Sequence, residues 1–323
     1  GRTSPDSKSS DCNEQRPGRR VVDVTDVYTS YSFGVFEPQA IRDYIAHAAA
    51  ELGTRSVLLV GGDTYDYRNY LGVNSMSFIP SLYASTGQFV RFVPSDTLYV
   101  DQETPGVPSL AIGRFPVRTN AELDLMVAKT LSYAEKSYGR TAFFAADRTD
   151  GGVSFKAINA GFIAGLPAGW LSESVNLDDN DVATAQTRLL AAMNRGTAMV
   201  TFTGHSGPRE WSFSHLFTNA HAAALTNAGQ PFVAVQWGCW NTYYVDPVNT
   251  YLVQSFLFAG DRGAAAVLGA ATLTDSSSEQ LLGELLTPRL VVPGMSVGQA
   301  LLDAKRELAA THPELADVLI GWS

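Results

Sequence analysis

Residues 198–205 read AMVTFTGH and residues 231–239 read PFVAVQWGC. Each is a short apolar run, rich in Val, Phe and Thr, that breaks off at a glycine, the pattern of a buried strand leaving a sheet. The first run leads into His205 and the second into Cys239. Between them residues 219–227 suit a short helix, and Gly229 a turn. A strand–helix–strand unit makes its two strands parallel neighbours. His205 and Cys239 are then expected at the same carboxyl edge of one sheet, where open α/β sheets bind ligands. A thiol beside an imidazole is the minimum for a cysteine nucleophile and its base.

The alternation of strand and helix patterns extends outward from this unit and sets the fold class as α/β, a mostly parallel sheet sandwiched by helices. Upstream, the periodicity predicts a short strand at Val21, Val22 and Val24, a helix over 38–52 and a strand over 56–60. An irregular stretch over 61–108 follows, then a strand over 109–112. A helix over 120–137 has Asn120 as its cap, with Leu123, Val127 and Leu131 on its apolar face. Strands over 142–146 and near Val175 and helices over 154–166 and 181–194 lead into the His205 strand. Beyond Cys239 come a helix over 250–259, an apolar strand over 264–273, and helices over 279–286 and 296–310. The division is into a flexible polar leader (1–20), a first α/β sub-domain (21–140) and a second that holds the dyad (141–323).

Composition narrows the function. The chain has 323 residues, 45% of them hydrophobic, and a net charge of −9. That suffices for a large core and lacks the basic footprint that a nucleic-acid partner selects. No apolar stretch reaches the 18 or so residues of a membrane span. The leader has no hydrophobic segment to serve as a signal peptide. Two cysteines are present, Cys12 in the leader and Cys239, and a disulfide between them would consume the candidate nucleophile.

Other groups compete for a role. A buried, inert cysteine is a common thing, but Gly238 before Cys239, with Trp240 and Asn241 after it, ends the strand where backbone N–H groups can act on a thiolate or an oxyanion. His215 and His221 lie off any strand end, and His47 and His312 fall in surface contexts. Gly204-His205-Ser206-Gly207-Pro208 resembles the serine-hydrolase elbow, yet Pro208 replaces its last glycine and no helix follows. Asp147 and Asp150 end the 142–146 strand at the edge expected for His205, and either could orient the imidazole. Asp63 and Asp66 are two acids three apart. They are too few for a confident cation site and read better as turn caps. No zinc spacing or phosphate loop occurs.

The stretches TFTGHSGPREWSFSHLF and LTNAGQPFVAVQWGCWN, together with LLVGGDTYDYRNYLG and IGRFPVRTNAELDLMVAKTLSYAEKS, resemble the gingipain family of cysteine peptidases, relatives of caspases and legumain. The resemblance runs from about Val21 to the end. It implies a caspase-like catalytic sub-domain and a cysteine endopeptidase acting on polypeptides through an acyl-enzyme. Cys239 matches the nucleophile and His205 the histidine. The backbone N–H groups of Cys239 and Ser206 match the oxyanion donors, Asp147 the acid near the histidine, and Asp63 an acid ending an early strand. Trp211 matches the tryptophan downstream of the histidine, and Trp211, Trp237, Phe155 and Ser276 are the pocket candidates. Phe155 falls where arginine-specific members carry an acid, so cleavage after Arg or Lys is not implied. Ser276 falls where those members have a tryptophan lid. Ser206 replaces a usual glycine, and the family's first strand–helix unit is replaced by the leader, which makes the first sub-domain read as incomplete. No cofactor is implied, although a structural calcium ion is compatible with the family, and a secreted or cell-surface location goes with it. The alternative from another class is a catalytically silent member kept for binding or assembly.

Overall fold

The computed structural model describes residues 18–323. Most of the leader, Cys12 included, lies outside the described residues.

The described residues open with two helices, α1 (Val24–Ser32) and α2 (Pro38–Leu52). The three valines at 21, 22 and 24 do not make the expected strand. Asp23 accepts a hydrogen bond from the Thr25 backbone N–H and caps α1, whose Val27 and Tyr28 are buried, so capping and burial override the β preference. Proline at the start of α2 and Gly53 in the left-handed conformation after it bound that helix as expected. Strand β1 (Ser56–Val60) follows. The irregular stretch contains a short antiparallel pair, β2 (Leu82–Ala84) and β3 (Val93–Ser95). Strand β4 (Ala111–Phe115) returns parallel to β1, and α1 and α2 cover this two-stranded sheet.

Helix α3 (Asn120–Glu135) is capped by Thr119 in a capping box with Glu122, rather than by Asn120. Its expected apolar face is also rotated: Met126 and Lys129 are buried, while Val127 is 42% and Leu131 59% exposed. The Lys129 ammonium donates to the carbonyls of Phe256 (3.0 Å) and Arg262 (2.8 Å), partners that a buried cation requires.

The second part is built on β5 (Thr141–Ala146), α4 (Phe155–Ala164), β6 (Leu171–Asn176), α5 (Val182–Asn194) and β7 (Met199–Thr203). A small antiparallel ribbon follows, β8 (Ser206–Gly207), β9 (Glu210–Trp211) and β10 (Phe217–Thr218). Then come α6 (Asn219–Ala223), β11 (Phe232–Trp237), α7 (Leu252–Leu257), β12 (Ala264–Gly269), α8 (Ser276–Leu290), α9 (Val297–Thr311) and α10 (Ala316–Leu319). Five strands form one parallel sheet in the order β12-β11-β7-β5-β6. Alternate residues point to opposite faces. Phe144, Val235 and Trp237 pack with α4, α8 and α9, whereas Phe143, Phe202 and Ala234 pack with α5, α6 and α7. Both faces are covered, which is why these strands read as continuous apolar runs.

Helix α9 packs on β4 of the first sheet. At the same junction Arg114, held within the first part by a buried ion pair with Asp96 (2.7 Å), lies over the Tyr244 ring of the second part at 5.2 Å. Lys305 of α9 donates to Thr97 Oγ1 (3.0 Å), the Leu319 carbonyl (2.9 Å) and the Trp322 carbonyl (2.5 Å).

Candidate active site

Strand β7 pairs with β11 in parallel, and the last pair in register is Thr203 opposite Trp237. His205 and Cys239 each stand two residues past that pair, so the sheet brings them to one edge at one height. The glycines in between are required. Gly204 has φ +153°, and a Cβ on it would lie 2.2 Å from Asp147 Cβ. A Cβ on Gly238 would lie 2.3 Å from Ser206 Oγ and 2.4 Å from the Gly204 carbonyl oxygen. The two turns press on each other with no room for a side chain. Ser206 Oγ donates to the Cys239 carbonyl (2.9 Å) and accepts from Asn241 Nδ2 (2.9 Å), which also donates to the Gly238 carbonyl (2.9 Å). Its hydroxyl is thus a brace between the turns, and β8 rather than a helix follows it. Neither feature suits the elbow of a serine hydrolase.

The carboxylate on His205 belongs to Asp150, whose Oδ2 lies 2.9 Å from Nε2. Asp150 and Val153 exchange backbone hydrogen bonds of 3.1 and 2.8 Å around Gly151 (φ 56°) and Gly152 (φ 83°). Two positive φ angles in a two-residue loop make a type I′ turn, which favours glycine at both places. With Nε2 occupied, Nδ1 is the ring nitrogen left for proton transfer. Phe155, at the start of α4 and buried, meets the imidazole edge-on at 5.4 Å. Phe213 stacks on it at 5.5 Å and 9°.

Asp147, expected as the acid near the histidine, goes elsewhere. It is buried, accepts from Ser212 Oγ (2.8 Å) and the Arg148 backbone N–H (2.7 Å), and lies beneath Gly204. Asp147 follows directly on β5, whereas the turn folds Asp150 back over the strand end. The signal in the sequence was the pair Gly151-Gly152.

Cys239 is half-buried, and among the described residues it is unpaired. The Thr274 backbone N–H donates to its sulfur at 3.4 Å, and the Thr274 carbonyl and hydroxyl lie at 3.7 and 3.6 Å. Burial pushes the thiol pKa up, and the contacts from Thr274 pull against it. Behind Thr274 sits Glu279, which accepts from the Thr274 hydroxyl at 2.9 Å and is 5% exposed. Burial pushes its carboxyl up to about 8, against hydrogen bonds from Thr274 and the Gly238 backbone. Sequence reasoning did not single out Thr274 or Glu279 for the site. Thr274 comes from the loop after β12 and Glu279 from the first turn of α8, and only the strand order β12-β11-β7 places them beside Cys239.

The remaining pocket candidates divide. Trp211 is fully buried, stacked on Phe202 at 5.0 Å and donating to Gln236 Oε1 at 2.7 Å. Trp237 is 1% exposed and stacked on Trp322 at 4.6 Å. Both are core side chains and offer no face to a ligand. Ser276 opens α8, two residues after Thr274, and is half-buried. His215 Nδ1 is hydrogen-bonded to Glu210 at the surface, and His221 folds back onto the Thr218 backbone N–H at 3.1 Å. Asp63 and Asp66 are held by their own loop: Asp63 accepts from the Ser81 N–H (2.8 Å), and Asp66 from the Tyr70 N–H (2.8 Å). Among the described residues no group of three or more His, Cys, Asp and Glu side chains is arranged for a metal ion, and no helix is long and apolar enough to cross a membrane.

Comparisons with known proteins bear on the fold and the family. No curated protein matches the chain. Among solved structures, the complex of the pro- and mature domains of RgpB from Porphyromonas gingivalis matches with a TM-score of 0.72 at 17% identity, over 92% of this chain and 70% of that one. The Arg-specific cysteine proteinase gingipain R (RgpB) matches with a TM-score of 0.69 at 17% identity, over 93% of this chain and 73% of that one. A third structure, described only as a protease, gives 0.66 at 14% identity, over 88% and 66%. At such identities the likeness speaks for the fold, the gingipain α/β fold with its central parallel sheet. The profile of peptidase family C25 matches residues 17–320, and the chain therefore belongs to that family, the gingipain family of cysteine peptidases.

Proposed function

We propose that the chain is an endopeptidase in which Cys239 is the nucleophile and His205 the general acid and base. The observation that supports this reading most directly is the shared register of the two residues past Thr203 and Trp237. On this reading the Cys239 thiol passes its proton to His205 Nδ1 and the sulfur attacks the scissile carbonyl. The N–H groups of Cys239 and Ser206 receive the oxyanion; one such donor is worth about 3 to 4 kcal/mol in related chemistry. His205 gives its proton to the leaving amine as the C–N bond breaks, then takes one from the water that frees the acyl group. Asp150, on Nε2, holds the tautomer and favours the imidazolium. A thiol that rests neutral suits this sequence, because ionisation can await the substrate. Polypeptides are the substrate class that goes with the family, and a secreted or cell-surface location accompanies it.

The raised thiol pKa also favours a second reading, a silent member kept for binding. Labelling with a peptide carrying a thiol-alkylating group separates the two. The peptidase reading expects labelling and peptide hydrolysis in the wild type and neither in Cys239→Ala. Equal labelling of both proteins overturns it.

A further inference from the structure

The turn between β9 and β10 holds an aromatic ring where the fold does not need one. Ser212 (φ 60°) and His215 (φ 58°) are both left-handed without being glycine, a conformation that costs on the order of 1 kcal/mol or more per residue. The surroundings hold it in place. The Ser212 backbone N–H donates to the His205 carbonyl at 2.8 Å and the His215 N–H to the Ser212 carbonyl at 2.9 Å. Ser212 Oγ donates to Asp147 at 2.8 Å and accepts from the Ser214 N–H at 3.0 Å. Ser212 and Asp147 are themselves 1% and 5% exposed. Together they aim Phe213 outward over the imidazole, parallel to it, with 69% of the residue exposed. A phenyl ring left that open adds little to the core. Its inner face covers the histidine and its outer face is free for a ligand.

We infer that Phe213 forms an apolar subsite for the side chain of the residue that follows the scissile bond, and that peptides with a large apolar or aromatic residue there are preferred. The inference rests on the dyad proposed above. His205 must reach the leaving amine, so the residue carrying that amine lies on the histidine's side of the site. The surface beside the ring is Phe213, with Phe155 behind at the ring edge. Aromatic rings attract apolar and aromatic side chains through area burial and offset or edge-on contact, and Asp150, 70% exposed next to His205, disfavours an acidic side chain there.

The test uses peptide mixtures randomised before the bond, each with one fixed residue after it (Gly, Leu, Phe or Asp), together with the matching methyl esters, which carry no residue there. The wild type is expected to cleave the Phe and Leu sets about tenfold faster in kcat/KM than the Gly set, with Asp slowest. Phe213→Ala is expected to bring Phe and Leu to within about threefold of Gly, and Phe213→Leu to retain the Leu preference. An unchanged ranking in Phe213→Ala overturns the inference. So does an equal fall across all sets and the esters, since Phe213 would then only steady the imidazole. Loss of the peptidase reading itself looks different: the wild type would cleave no set and Cys239 would not label.

Discussion

On the proposed mechanism the most consequential single contact is Asp150 on His205 Nε2. An ion-supported hydrogen bond to a group that becomes charged in the reaction is worth about 1.5 to 3 kcal/mol when well formed. Asp150 is 70% exposed on its side chain, and water screens it toward the lower end. Asp150→Asn keeps the shape and removes the charge, so we expect kcat for peptide hydrolysis to fall about tenfold, one decade being roughly 1.4 kcal/mol. KM should move little, because Asp150 acts through the imidazole. Steady-state kinetics check this, and a KM rise at constant kcat would show that Asp150 binds substrate instead. Asp147→Asn is the internal control at this scale: its partner is Ser212, so its effect should follow the Phe213 loop. That the sequence pointed first to Asp147 reflects proximity along the chain. The reversal is made three residues later, by a turn whose two positive φ angles favour Gly151-Gly152.

At the scale of elements, the active edge depends on two turns that touch. Gly204→Ala puts a methyl group 2.2 Å from Asp147 Cβ in a backbone conformation that L residues avoid. We expect a loss of about 1 to 3 kcal/mol, the range for overpacking, seen as a lower Tm in thermal unfolding, together with a drop in activity as the ends of β7 and β5 spread and displace His205. An unchanged Tm would mean that the turns are slack. This edge was legible beforehand because parallel strands carry period and composition plainly: β1, β7 and β11 start and stop within a residue or two of expectation. The parts that were not legible are set by tertiary partners. Three valines near residue 22 are locally strand-like, yet Asp23 caps a helix whose buried side chains meet α2. The face of α3 was read from its leucines and valine, and the structure turns it so that Lys129 can cap the carbonyls of Phe256 and Arg262. Carbonyls more than a hundred residues away leave no trace in a local pattern.

For the molecule as a whole, two buried ionisable groups shape stability against pH. Burial pushes Glu279 up to about 8, above the 4.3 or so of an unfolded glutamate. Between those values the unfolded chain has lost its proton and the folded one has kept it, so stability falls as pH rises through this window. The slope approaches about 1.4 kcal/mol per pH unit where the difference is a full proton. Lys305, pulled down to about 7 by burial, acts oppositely. Above 7 the folded state sheds a proton that the unfolded chain keeps to about 10.4, so stability rises with pH there. Glu279→Gln is close in shape and can still accept from the Thr274 hydroxyl and the Gly238 N–H, but does not titrate. The difference in unfolding free energy between variant and wild type, from urea titrations at pH 5, 6, 7 and 8, should therefore grow steadily in favour of the variant and level off above 8. Lys305 contributes equally to both proteins and cancels. A flat difference would place the Glu279 carboxyl in an ordinary environment. The link from Cys239 through Thr274 would then end on an ordinary carboxylate, ionised at neutral pH.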